Sequence, residues 1–166
     1  MKQTLLIITA LMLVVGYGSS DKAEEIKNDR GVSNPYILAE GVFNAFRDND
    51  EKDFIQLFES ENEKYSKEKL LISFSYLRKN AESEGINWSE AEFMEARINT
   101  SPVSFTVLRK DGYGNIFGME NGETKDIEIL FKSGDSLYWI KLDNCLYENS
   151  KWFSGSPNAW GLDDDD

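Results

Sequence analysis

From residue 34 to about residue 100 apolar positions recur every three or four residues; beyond that they alternate with polar ones. The first pattern predicts helices. Leu38, Ala39, Val42, Phe43 and Phe46 form one stripe behind Asn34, a good N-cap, and Pro35, which at the first helical position loses no needed hydrogen bond. Asp48, Asn49 and Asp50 break the stripe, and Asp50 is placed to cap a short second helix bearing Phe54, Ile55, Leu57 and Phe58. Ser66 is the expected cap of a longer third helix carrying Leu70, Leu71, Phe74, Leu77 and Ala81, with Gly85 suited to its C-terminus. Ser89 and Glu92 have the spacing of a capping box, which predicts a last helix with Phe93 and Met94. Tyr65, Tyr76 and Trp88 read as boundary residues whose polar atoms stay near water.

Pro102 is the expected end of the helices, and Val103 to Leu108 alternate as a half-buried strand does. Asp111-Gly112, Asn121-Gly122 and Gly134-Asp135 are hairpin signals, and Glu148-Asn149-Ser150 is a looser one. They predict an antiparallel meander of four to five strands, weakest around Ile116-Phe117, where Gly114 and Gly118 leave gaps. In the strand that follows Gly134-Asp135, Tyr138, Ile140 and Leu142 face one way, and Leu137 and Trp139 the other. Trp139 and Phe131 are the expected core residues of adjacent strands. The fold class is α+β, with N-terminal helices packed on a curved sheet spanning residues 34–155.

The ends read differently. Lys2, an apolar run from Leu5 to Val15 and small residues to Ser20 describe a secretory signal peptide over residues 1–20. The run is shorter than the ~20 residues of a membrane span, so no stable membrane insertion is expected once it is cleaved. Export to the periplasm or the extracellular space follows. Residues 21–33 read as a polar tether, and residues 156–166 as an acidic tail whose four terminal aspartates are a solvated end.

Charge narrows the function. Eighteen Lys and Arg stand against 30 Asp and Glu, a net of −12, and loss of Lys2 with the signal segment leaves −13. Such a surface repels phosphate backbones, so no nucleic-acid partner is expected; the charge reads first as a solvated surface, and a basic protein partner is the alternative. The chain has no histidine, which excludes Ser-His-Asp and Cys-His mechanisms. Cys145 is the only cysteine and reads as a buried, inert thiol. The acidic cluster Asp48, Asp50, Glu51 and Asp53 lacks the central glycine and distant glutamate of a calcium loop and reads as helix capping. No metal site or cofactor is expected.

Two stretches carry a family resemblance. Ala39 to Asp50 with Phe54-Ile55-Gln56-Leu57-Phe58 resembles the opening of the nuclear-transport-factor-2-like superfamily. Tyr138-Trp139-Ile140-Lys141-Leu142 and Lys151-Trp152-Phe153 resemble its closing strands. Over Asn34 to Phe153 this implies an α+β cone, a bent sheet wrapped around helices and often enclosing a cavity. The chain departs from many members in having no strand signal between its second and third helices. A cystatin-like arrangement of helices against a plain meander is the alternative.

Three functions remain open at this level. One is a secreted, non-catalytic binding or accessory protein, including an acidic inhibitor of a basic enzyme. Another is an enzyme using carboxylates and tyrosines, for which Glu128, Asp126, Asp143 and Tyr138 are the candidates. The third is a carrier of a small apolar ligand in a cavity. Tyr138, Trp139, Glu128 and Asp143 are the pocket or recognition residues to locate. Glu128 alternates with Ile127 and Ile129, which places it on the wet face of its strand. No set of residues converges at catalytic spacing, so binding is favoured over catalysis.

Overall fold

The computed structural model describes residues 31–58, 66–101, 104–111 and 118–163. The expected signal peptide, most of the tether, Tyr65, Pro102 and the weak strand at Ile116-Phe117 lie outside them, as do residues 59–65 between the second and third helices. The described residues form three α-helices followed by a six-stranded antiparallel sheet, an α+β architecture.

Helix α1 (Pro35–Asp48) begins as its sequence requires: the Asn34 side chain accepts from the Tyr36 N–H at 2.8 Å. Its amide also donates to the carbonyls of Arg109 and Lys110, tying the helix start to the chain that follows the second strand. Helix α2 (Glu51–Gln56) is capped by Asp50, whose carboxylate accepts from the N–H groups of Lys52 and Asp53. Helix α3 (Lys67–Ser83) starts behind Ser66, but the Ser66 side chain makes no capping bond. Gly85 follows its end at φ 97°, a conformation cheap only for glycine. The Arg78 guanidinium reaches from α3 to the Phe46 carbonyl at 2.9 Å, satisfying one of the orphan acceptors at the end of α1.

The expected fourth helix is a strand. Asn87 caps a single 3₁₀ turn (Trp88–Glu90), Ala91 is already extended, and β1 (Glu92–Ser101) follows. The Ser89–Glu92 spacing imitates a capping box, but Asn87 caps the turn instead, and a bulge between Phe93 and Glu95 turns Phe93, Ala96 and Ile98 inward and leaves Met94 exposed.

Strand β2 (Ser104–Val107) pairs with β1 at the sheet edge, and all four of its residues are exposed, so it is not the half-buried strand expected; only Leu108 turns inward. Strands β3 (Glu123–Ser133) and β4 (Ser136–Glu148) form the long central hairpin around Gly134-Asp135. There only Gly134 has positive φ, the pattern of a type II′ turn. Asn149 and Ser150, both at positive φ, make a second two-residue turn into β5 (Lys151–Phe153). Asn121-Gly122 is a turn leading into β3, with Gly122 at φ 86°, and the strand expected before it lies outside the described residues. The order is β2-β1-β3-β4-β5, not a plain meander.

Two segments expected to be loose are part of the sheet. Val32 exchanges backbone hydrogen bonds of 2.9 and 2.7 Å with Trp152, so the tether ends as a bridge. Residues expected to begin the acidic tail form β6 (Ser156–Leu162), which pairs with the first half of β4. Its Pro157 and Gly161 hide the strand in sequence, yet an edge strand tolerates both.

The core lies between the helices and the inner face of the sheet. Phe74, Phe46, Trp88, Phe131 and Tyr138 form a continuous column of stacked rings, with centroids 4.7 to 5.8 Å apart. Each fully buried aromatic removes enough apolar surface from water to stabilise the fold by roughly 1.5–3 kcal/mol. Trp88 is therefore a core residue, not a boundary one; its indole N–H reaches the Arg78 carbonyl at 3.4 Å. Tyr76 is exposed, as its position predicts.

Candidate functional site: the outer face of the sheet

Within the aromatic core a gap of about 10 Å³ is lined by Phe46, Leu77, Ala81, Trp88, Phe131, Ile140 and Trp160. That is room for one water at most, and no carboxylate faces it. A wider notch of about 310 Å³ opens at the surface between α1 and α2, where Asp48, Asp50 and Asp53 meet. There Asp50 is engaged in capping, and the Arg47 side chain holds the Asp48 carboxyl below its usual range by hydrogen bonding.

The sequence candidates divide across the sheet. Tyr138 points inward and stacks on Phe131 in the core, so it is a packing residue. Trp139, Glu128 and Asp143 share the outer face, opposite the helices. Strand register fixes this: Val107, Arg97, Glu128, Lys141 and Ala159 pair in one row across five strands. The next row contains Glu95, Leu130, Trp139 and Gly161. Trp139 is half-buried in the outer layer and so is not a core partner of Phe131, which is fully buried within.

Ion pairs organise this face. The Lys141 ammonium lies 3.3 Å from Asp126 and 3.0 Å from Asp143, and Arg97 pairs with Glu95 at 2.6 Å. The other Asp126 oxygen accepts from the Asn144 N–H at 3.0 Å and holds a left-handed kink there (φ 58°). That kink shifts the alternation of β4, so that Cys145 and Tyr147 turn inward after Leu142. Cys145 is buried, its thiol accepts from the Gly155 N–H, and burial pushes its pKa up to about 12. It is an inert thiol at neutral pH.

Glu128 differs from its neighbours. It is half-buried, and desolvation raises its pKa against the opposing pull of Arg97 and Lys141; Asp163 and Asp126 add to the rise by repulsion. Asp163, expected to be the first residue of a solvated end, belongs to the sheet. Its N–H donates to the Leu137 carbonyl at 2.9 Å, and one of its carboxylate oxygens is buried with no hydrogen-bond partner. Sequence reasoning missed Asp163 because the run of four aspartates masks its place at the end of β6; the preceding Trp160 was the available signal. It also missed Arg97 and Lys141, whose roles depend on cross-strand register.

No protein-family model, curated protein or solved structure matches this chain. Among the described residues no helix is long and apolar enough to cross a membrane.

Proposed function

We propose that this is an exported, non-catalytic binding protein that recognises a basic protein partner through the outer face of its sheet. The observation that carries the reading is the charge on that face. In the rows around Trp139, Glu92, Glu95, Asp126, Glu128, Asp143 and Asp163 contribute six carboxylates, and Arg97, Lys132 and Lys141 three cations. The remainder is negative, in keeping with the net −12 of the whole chain. Complementary charge of this kind speeds encounter and fixes orientation more than it adds affinity. Half-buried Trp139, with buried Leu130 opposite it, supplies an apolar centre for a contact whose rim is charged.

The other readings find less support. A carrier needs a cavity of some hundreds of Å³, and the interior gap is about 10 Å³. A carboxylate–tyrosine enzyme needs both groups at one site, and Glu128 and Tyr138 occupy opposite faces of the sheet. The resemblance to the nuclear-transport-factor-2-like superfamily enters the same proposal as a matter of fold alone, with helices over a bent sheet and a filled centre.

The test is retention of basic proteins from the producing cell's medium on the immobilised chain at low and moderate salt. Saturable binding that weakens with salt supports the reading, because screening acts on exposed charge pairs. Retention of neutral small molecules alone, indifferent to salt, contradicts it.

A further inference from the structure

Among the described residues the outer edge of β2 pairs with no strand. The other outer strands are engaged: Val32 bridges to Trp152 on β5, and β6 lies against α3. Register fixes which groups of β2 face outward. Leu108 donates its N–H to the Ala96 carbonyl at 2.8 Å and Thr106 stands opposite Ile98. Alternation therefore turns the backbone N–H and C=O of Phe105 and Val107 away from β1. Their side chains lie on the outer face, in the rows of Asn99 and Arg97, and are 43% and 50% exposed. No charged residue stands between Arg97 and Arg109, and β2 has none of the lysines or prolines that commonly guard a sheet edge.

We infer that β2 is a self-association edge, pairing antiparallel with β2 of a second copy about a twofold axis through Thr106. In that register Phe105 stands opposite the second copy's Val107, and Val107 opposite its Phe105. Every outward N–H and C=O of the two residues is then bonded, and each ring lies beside a β-branched side chain. Sliding the register by two residues either way brings only one of the two residues into pairing within β2. The edge is thus complementary to itself, and charge does not oppose the contact. Each copy carries a net −12, but the cations nearest β2 are matched, Arg97 by Glu95 and Lys110 by Glu40. The acidic row on β3 lies two strands in from the edge, so the two β3 strands would stand about 24 Å apart across the axis. That is well beyond the ~8 Å screening length at physiological salt. Two four-residue edges bury far less than the roughly 1,600 Å² of a standard interface, so the dimer is weak and reversible. The pairing leaves the acidic outer face open, and it stands or falls independently of the partner proposed above.

The experiment is sedimentation velocity on the full chain from about 10 μM to about 1 mM, with amide exchange followed by NMR at both ends of the range. A concentration-dependent shift from monomer to dimer is expected. Exchange of the Phe105 and Val107 amides should slow at high concentration, while Thr106 and Leu108, which face β1, are unchanged. Val107→Lys is expected to weaken association by about tenfold or more. Phe105→Pro removes one outward N–H and spares the ladder to β1, so it should weaken association similarly with the β1 resonances in place. Added salt should leave the dimer unchanged or strengthen it, because both copies are acidic. A monomer throughout, protection of Phe105 and Val107 that does not depend on concentration, or a dimer equally tight in both variants overturns the inference. Dissociation of the dimer by moderate salt also overturns it, since that result assigns the association to charged surfaces.

Discussion

Gly161 lies against the indole of Trp139, so that the last strand of the sheet is held under an aromatic ring of its neighbour. This contact explains why a segment rich in strand breakers is ordered, and it places Trp139 in the outer layer. Gly155 is tighter still, because a β-carbon there would overlap the backbone carbonyl of Asp143. Gly155→Ala is therefore expected to cost about 3 kcal/mol or more, since backbone cannot move aside, and Gly161→Ala about 1 kcal/mol, since the indole can swing. Denaturant midpoints at unchanged m-value measure both, and equal costs would contradict the distinction.

The two faces of the sheet predict unequal responses to truncation. Phe131→Ala empties a fully buried site in the ring column and should cost about 3–5 kcal/mol. Trp139→Ala removes a half-buried ring and leaves no closed cavity, so about 1–2 kcal/mol is expected. The reverse order in chemical denaturation would place Trp139 in the core.

Much of this was legible in the sequence. The capping by Asn34 and Asp50, the stripe on α1 and the Gly134-Asp135 hairpin are local, and local rules found them. Strand β1 was misread because Ser89 and Glu92 have the spacing of a capping box, whereas Asn87 caps only a 3₁₀ turn and the chain is extended from Ala91. Strand β6 was misread because pairing with β4 outweighs the poor strand propensity of Pro157 and Gly161. The site was half legible: alternation put Glu128 on the wet side of its strand, whereas Trp139 was expected in the core and lies half-buried in the outer layer. The cations beside them came from strand order, which a single sequence does not state when β3 inserts between β1 and β4.

Cys145 sets an alkaline limit. Its folded pKa of about 12 lies above the ~8.5 of an unfolded thiol, so the unfolded chain loses that proton first as pH rises. The thiol's contribution to stability is complete below the unfolded value and is lost progressively up to the folded one. Cys145→Ala should flatten this limb of the stability curve. In the native protein the thiol should resist iodoacetamide at pH 8 and react on unfolding; rapid native labelling would contradict its burial.

Glu128 gives a pH signature at the other end. Its raised pKa means the folded protein holds this proton more tightly, so the associated stability is present in acid and is lost as pH rises through the folded value. Binding runs oppositely, because only the ionised carboxylate attracts a cation. Affinity for a basic partner should therefore fall as pH drops through this raised pKa, and Glu128→Gln should remove that dependence. A wild-type profile retained in the variant would assign the titration to another group.

The most direct test of recognition by the outer face compares two variants of equal charge. One carries Asp126→Asn, Glu128→Gln and Asp143→Asn on the sheet, and the other Asp48→Asn, Glu51→Gln and Asp53→Asn at the α1–α2 corner. Each loses three negative charges, so a partner held only by net charge would respond to both alike. With native folding verified by circular dichroism, the affinity of a retained basic protein is measured for the wild type and both variants at one salt concentration. Recognition by the outer face predicts a loss of about tenfold or more for the sheet variant and near wild-type affinity for the corner variant. Equal losses, or a greater loss at the corner, would contradict it.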